Sequence, residues 1–562
     1  MRNLNMLRFI VRFRSLRAVA PLRAVARLFD RFTKPAGGTP ERRVHDSAWS
    51  EERELPRPAI VQPDTILGNC CNRRAAPVAL PVLRSICALA AAATLLILFP
   101  LRVNAAESTV PLNSRLEAIL KKELPQNCAV SVLVADLDTG RILMEKNPHL
   151  PLIPASTLKV VTSAATLQAL KPEFVFITEV FADRGRGSSV RNIFLRGGGD
   201  PYLVSEELYA LTRGLRDRGL QEIRGSIVVD DSYFIPSLPL DENEKLGYRS
   251  YHAPYSALSL NFNSIKILVL PASRAGKKAK ILADPASEYA TVRGDVKTID
   301  GDQPAQLTIR KESAPDDREV VVVDGQIGVD AAIKGRYVNV AAPSLYLGEV
   351  FKEFLLREGI KVAGQVVRGK TPASAEPYYE FPSRPLGMIV YGLNKFSNNF
   401  IAEQICMTLG AKVYGAPGTR EKGLSVIRKH LLACGVDEGE FSLSEASGLS
   451  RNNRLSASAL TRVLTAADED FTYGPEFKAS LGVAGVDGTL KEKFTDTGAR
   501  RRLRAKTGTL RGVNALAGYG VSRDGIRFVF AVIVNSLDKG VGFLNHADKI
   551  AREILDVPLG KQ

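Results

Sequence analysis

In Pro154-Ala155-Ser156-Thr157-Leu158-Lys159 a hydroxyl and an amine stand three residues apart. On a helix that spacing puts them on one face, a turn from each other. A serine hydroxyl is a poor nucleophile until a base takes its proton, and a partly desolvated lysine is such a base. Ser156 also falls at the start of the helix expected over 156–170, where backbone amides and the helix dipole favour developing negative charge. By itself the pair equally describes an N-cap serine opening an amphipathic helix whose lysine is solvated. Chance alone supplies about one to three such pairs in a chain of this size.

Two downstream motifs change the weighting. In Ser397-Asn398-Asn399 the Ser397 hydroxyl suits proton relay to a leaving amine, and the Asn399 amide suits holding Lys159 and a substrate carbonyl. Alone, a helix cap explains these residues as well. In Lys506-Thr507-Gly508-Thr509 the lysine suits a substrate carboxylate, with Thr507 beside it. Gly508 permits close backbone approach, and the amides of Thr509 and Ser156 can form an oxyanion hole. The competing reading is an edge-strand lysine that discourages aggregation. Other schemes fail on residue types. His45, His149, His252, His430 and His546 show no paired metal-ligand spacing, so neither a metal nor a cofactor is expected. No Gly-x-Ser-x-Gly elbow occurs, and Gly197-Gly198-Gly199-Asp200 lacks the Gly-Lys-Ser/Thr of a phosphate loop.

To meet, these segments need a shared scaffold. Residues 129–146 read as a hairpin turning at 136–140, and strands are expected at 501–508, 513–521 and 526–535, with Asp524-Gly525 as the last turn. Two early and three late strands make one antiparallel five-stranded sheet flanked by helices, including a terminal helix near 543–555, with a helical region at 386–480 between. The fold class is therefore α/β in the broad sense, and α+β in detail. The catalytic domain is expected in two parts, 107–175 and 385–562. Residues 176–384, with short apolar strands broken by Gly, Asp and Pro, read as β-rich insertion domains, two in number, one nested near 266–349.

The chain has 562 residues with 45% hydrophobic and 24% charged, which suits several folded domains and excludes global disorder. The net charge of +16 is concentrated: residues 1–106 carry +10, leaving +6 on the rest, and no nucleic-acid recognition motif accompanies it. No nucleic-acid partner is expected. Arg73, Arg74 and Arg84 precede the apolar run from Ile86 to Phe99, followed by Val103-Asn104-Ala105-Ala106. That order of charge, apolar stretch and small residues is a secretory signal at 76–106, cleaved after Ala105 or Ala106. A retained membrane anchor is the alternative. The Arg-rich stretch 1–75 is either a basic extension or untranslated, with the start near Val78 or Leu80. Export to the periplasm is the expected destination. Past the leader, Cys128, Cys406 and Cys434 are odd in number, so at least one is a free thiol, and a Cys406–Cys434 bridge and buried free thiols both remain open.

The three motifs, in order and with 241 residues between the first two, resemble those of the class C low-molecular-mass penicillin-binding proteins, which are D-alanyl-D-alanine carboxypeptidases and endopeptidases. The segments Gly198-Gly199-Asp200-Pro201, Asp230-Asp231-Ser232-Tyr233-Phe234, Ser256 to Asn263, Ser447-Gly448-Leu449-Ser450-Arg451 and Val486-Asp487-Gly488-Thr489-Leu490 agree as well. The resemblance spans about 110–555. It implies a serine β-lactamase/penicillin-binding transpeptidase-like domain with a nested insertion, peptidoglycan as substrate and β-lactams as covalent inhibitors. Ser156 is then the nucleophile, Lys159 the base, and Ser397, Asn399 and Lys506 to Thr509 the supporting groups. One departure is Glu445-Ala446, where the family usually has Asp-Gly, which would alter a local turn. A β-lactamase or esterase using the same machinery, and a cell-wall-binding scaffold, stand as alternatives.

Overall fold

The computed structural model describes residues 112–124, 127–183, 187–235, 252–496, 498–538 and 540–560. The basic stretch 1–75, the leader 76–106 and the start of the first catalytic segment lie outside the described residues. No described helix is long and apolar enough to cross a membrane.

The catalytic part opens with helix α1 (Leu112–Glu123), strands β1 (Cys128–Asp136) and β2 (Ile142–Lys146), and helix α2 (Leu158–Leu170). It resumes with helices α3 (Leu386–Phe396), α4 (Asn399–Tyr414), α5 (Arg420–Ala433), α6 (Ala457–Glu469) and α7 (Gly474–Ser480). Strands β3 (Leu503–Leu510), β4 (Val513–Val521) and β5 (Arg527–Ser536) and helix α8 (His546–Asp556) complete it. β1 pairs antiparallel with β5 along its whole length, Cys128 opposite Ser536 and Asp136 opposite Phe528. The sheet order is β2-β1-β5-β4-β3, the five expected strands, and a two-residue edge strand at Gly482–Val483 adds a sixth. That last strand reaches only Arg504 and Ala505, so from Lys506 onward β3 has no strand on its outer edge among the described residues.

The run Phe528-Val529-Phe530-Ala531-Val532-Ile533-Val534 is apolar throughout because helices cover both faces of the sheet. Val529, Ala531 and Ile533 point into the core built with α2, α3, α4 and α6. Phe528, Phe530, Val532 and Val534 point the other way, to α1 and α8. The alternation is the two-residue period of a strand, hidden because neither face is wet.

The insertion leaves and returns side by side: the strand Ile177–Ala182 pairs antiparallel with Glu376–Pro382. These belong to a five-stranded sheet in which Ile193–Arg196 and Val366–Arg368 run parallel to Ile227–Asp230. Parallel neighbours need crossovers, and two helices accompany the many strands of this β-rich insertion. Helices Ser205–Asp217 and Pro343–Arg357 pack against each other, and the second packs on this sheet. Leu208, Leu211 and Leu215 are the buried stripe of the first, at spacings readable as a helix face. Residues 264–339 contribute two further small sheets, and one buried apolar cluster runs from Val180 to Tyr378 through both regions.

Candidate active site

Ser156 sits in a single turn of 3-10 helix, Ala155–Thr157, that leads directly into α2. Ala155 before it has φ +48°, a left-handed conformation that costs a non-glycine residue energy and is held here by its surroundings. Two glycines supply that hold. An added Cβ on Gly508 of β3 would lie 2.6 Å from the Pro154 carbonyl oxygen and 3.2 Å from the Thr157 nitrogen. One on Gly448 (φ +82°) would lie 2.0 Å from the Ala155 carbonyl oxygen. The nucleophile turn is thus clamped between two backbones that no side chain separates.

Lys159, in the first turn of α2, is fully buried. Its Nζ donates to Ser156 Oγ at 3.0 Å, to Asn399 Oδ1 at 2.7 Å and to the Ser447 carbonyl oxygen. Burial brings its pKa down to about 8, partly opposed by the carboxylates of Glu445 and Glu403. Asn399 is the first residue of α4. The preceding Ser397 takes φ +55° at the end of α3, and Asn398 caps α4 by accepting from the Ile401 amide at 3.1 Å. The left-handed break turns Ser397 and Asn399 towards the same space. Ser397 Oγ accepts from Lys506 Nζ at 2.7 Å, and Lys506 also donates to the Thr507 carbonyl at 2.9 Å. Burial, then the charges of Lys159 and Lys493, hold Lys506 well below the ordinary lysine value. Thr507 Oγ1 meets Thr489 Oγ1 at 2.8 Å, while Thr509 is exposed at the rim.

All eight residues singled out from the sequence therefore fall in one place. Ser156, Lys159 and Asn399 form one hydrogen-bonded set, Ser397 and Lys506 a second, and Gly508 packs on the turn that carries Ser156. Sequence reasoning passed over the layer behind them. Lys395 is buried with both Asp487 oxygens at 2.8 Å, and Asp487 also accepts from the Val483 amide at 2.8 Å, which anchors the segment bearing Thr489. Glu403, one helical turn after Asn399, accepts from the Ala446 and Ser447 amides, both at 2.8 Å. The i, i+4 spacing from Asn399 was the available signal. His149 is mostly exposed and pairs with Glu440 at 3.1 Å, away from these groups. Cys128, Cys406 and Cys434 are all free thiols.

The D-Ala-D-Ala carboxypeptidase 3 (S13) family matches residues 112–552. A D-alanyl-D-alanine carboxypeptidase of Actinomadura sp. (strain R39) is 32% identical over 442 residues, 75% of this chain and 81% of that protein. The D-alanyl-D-alanine carboxypeptidase DacB of Haemophilus influenzae is 25% identical over 433 residues, 75% of this chain and 88% of its own. Among solved structures, penicillin binding protein 4 (dacB) from Haemophilus influenzae shares the fold, with a TM-score of 0.66 and 23% identity over 78% of this chain and 97% of that one.

Proposed function

Since the chain belongs to the D-Ala-D-Ala carboxypeptidase 3 (S13) family, we propose that Ser156 is its acylated nucleophile and that peptidoglycan stem peptides or their cross-links are its substrates. It is a serine-type D-alanyl-D-alanine carboxypeptidase of the penicillin-binding class. The observation that carries the assignment of roles is the Lys159 amine, wholly buried, 3.0 Å from Ser156 Oγ and 2.7 Å from Asn399 Oδ1.

On this reading Lys159 takes the Ser156 proton as Oγ bonds to the carbonyl carbon between two D-alanines. The oxyanion rests on the amides of Ser156 and Thr509. The substrate peptide lies along the open edge of β3, its terminal carboxylate towards Lys506. Collapse breaks the C–N bond, and the proton that Lys159 took passes through Ser397, which Lys506 holds in place, to the departing D-alanine amine, leaving Lys159 a free base again. Water, deprotonated by Lys159, then bonds to the ester carbon and releases Ser156. A β-lactam opens by the same first step, but its leaving nitrogen stays tethered to the acyl group, so the adduct persists. The leader read at 76–106 supports a periplasmic location, where this substrate lies; a mature N-terminus at Ala106 or Glu107 is the expected finding. Fluorescent penicillin should label the wild type and not Ser156→Ala, and chromatography of muropeptides incubated with each should show which D-Ala bond is cut. Labelling that persists in Ser156→Ala overturns the assignment.

A further inference from the structure

The acid groups nearest Lys159 have no part in the steps above. Glu403 on α4 and Glu445 in the turn before α6 are 1% and 0% exposed. Glu445 accepts from the Ser447 amide at 3.0 Å, the Gly448 amide at 2.5 Å and Asn453 Nδ2 at 2.5 Å, and also from Ser447 Oγ. Glu403 accepts from the Ala446 and Ser447 amides, so both carboxyls converge on the one Ser447 N–H, and burial followed by the charge of Glu445 raises the Glu403 pKa to about 8. Ionised carboxylates are acceptors only, and two of them buried on one N–H favour a proton on one of the pair. Arg420 on α5 stands 3.4 Å from Glu403 Oε2, one guanidinium for two carboxyls. The other titratable neighbours are the Cys406 thiol on α4 and the Tyr255 phenol. Burial first, and then these carboxylates, push both well above their ordinary values, so both stay neutral. The remaining cations of the site are Lys506 on β3 and Lys493, and the charges of Lys159 and Lys493 both act on Lys506.

The 445–448 turn ties this pair to the reacting groups. The Ser447 carbonyl accepts from Lys159, the Ala446 carbonyl from Thr162 Oγ1 of α2 at 2.7 Å, and Gly448 lies on the Ala155 backbone.

We infer that Glu403 and Glu445 share one proton, and that this singly charged pair fixes the 445–448 turn and provides the counter-charge that sets how much of Lys159 is free base. Two negative charges here would hold the proton on Lys159, and none would leave the turn amides with weaker acceptors. Both glutamates are positioning residues and touch no reacting atom. The inference rests on Lys159 being the base for acylation.

The test is the pH dependence of the acylation rate with a fluorescent penicillin, for wild type, Glu403→Gln, Glu445→Gln and the double variant. A glutamine keeps an oxygen acceptor and loses the ionisable group. Each single variant retains one negative charge and should leave the acidic limb in place. The double variant loses the last one, and its limb should move down by about one pH unit. A limb that drops in either single variant means the pair was doubly ionised; a limb unmoved in the double variant means its charge is irrelevant to Lys159. Either overturns the inference. Should the double variant not fold, infrared difference spectra of wild type minus Glu403→Gln at pH 7 decide: a protonated-carboxyl band is expected, and its absence overturns the shared proton. A wild type that is never acylated would instead fail the reaction itself.

Discussion

Titration of the acylation step tests the environment of Lys159 directly. An amine of ordinary pKa 10.5 would be free base in only about one molecule in 3,000 at pH 7. Burial lowers the value to about 8, which raises that fraction to about one in ten. The gain is roughly 300-fold in reactive enzyme, on the order of 3 kcal/mol. The sign follows from the role: the base acts deprotonated, so activity is lost as pH falls through about 8. The second-order rate constant for penicillin acylation, measured by stopped-flow fluorescence from pH 5.5 to 9.5, should rise about tenfold per pH unit and level off above about 8. Circular dichroism across the same range keeps unfolding from imitating a limb. A folded enzyme whose rate is flat between pH 6 and 9, or whose limb lies near the unperturbed lysine value, would refute the burial argument. Either result would mean that Lys159 is solvated or that another group takes the proton.

Three further outcomes follow from the same coordinates. Gly508→Ala puts a methyl 2.6 Å from the Pro154 carbonyl, so the Ser156 turn must shift; the penicillin labelling rate should fall by about 100-fold, and overpacking against backbone should cost about 1–3 kcal/mol of stability, read by denaturant titration. Asp487→Asn leaves the Lys395 ammonium, only 3% exposed, without its counter-charge; denaturant titration should show a loss of about 3 kcal/mol, the low end for a broken buried pair because Asp487 is partly open to solvent. Lys506 has no carboxylate partner among the described residues and is held well below the ordinary lysine value, so the arrival of a substrate carboxylate should raise its pKa and favour proton uptake. Calorimetric binding of a penicillin to Ser156→Ala should therefore depend on the buffer's ionisation enthalpy, and binding of its methyl ester should not.

Much of this was legible in the residues, for identifiable reasons. The sheet showed itself because its strands are bounded by turn residues such as Asp524-Gly525. The site showed itself because acyl transfer restricts which side chains can serve, and Ser156, Lys159, Ser397, Asn399 and Lys506 are those types at workable spacings. What stayed hidden depends on contacts distant in sequence. Nothing local to Glu445 reveals that it meets Glu403, 42 positions earlier, or that Gly448 lies on Ala155. The parallel pairing of Ile227–Asp230 with Ile193–Arg196 and Val366–Arg368 likewise follows from which helices cross over, and strand composition does not encode it. The helix at Ser205–Asp217 was readable from its leucine stripe and went unread beside so many short apolar strands.

Two buried lysines within one site ought to repel each other out of it, and their surroundings show how the fold tolerates both. Lys159 has carboxylates behind it; as an ammonium it donates to Ser156 Oγ, Asn399 Oδ1 and the Ser447 carbonyl, and as a free amine it can keep the last two donations and accept the Ser156 hydroxyl. Lys506 has a hydroxyl and one carbonyl and faces two other cations. Charge is therefore less favoured on Lys506 than on an exposed lysine, and an arriving anion would favour it. On the proposed mechanism the same residue type serves, by environment, as a resident base at Lys159 and a receptor for carboxylate at Lys506. On that mechanism a free carboxylate next to the scissile bond, the mark of a peptide's C-terminus, suits this site because it would give Lys506 a counter-charge while Ser397 stays hydrogen-bonded to it.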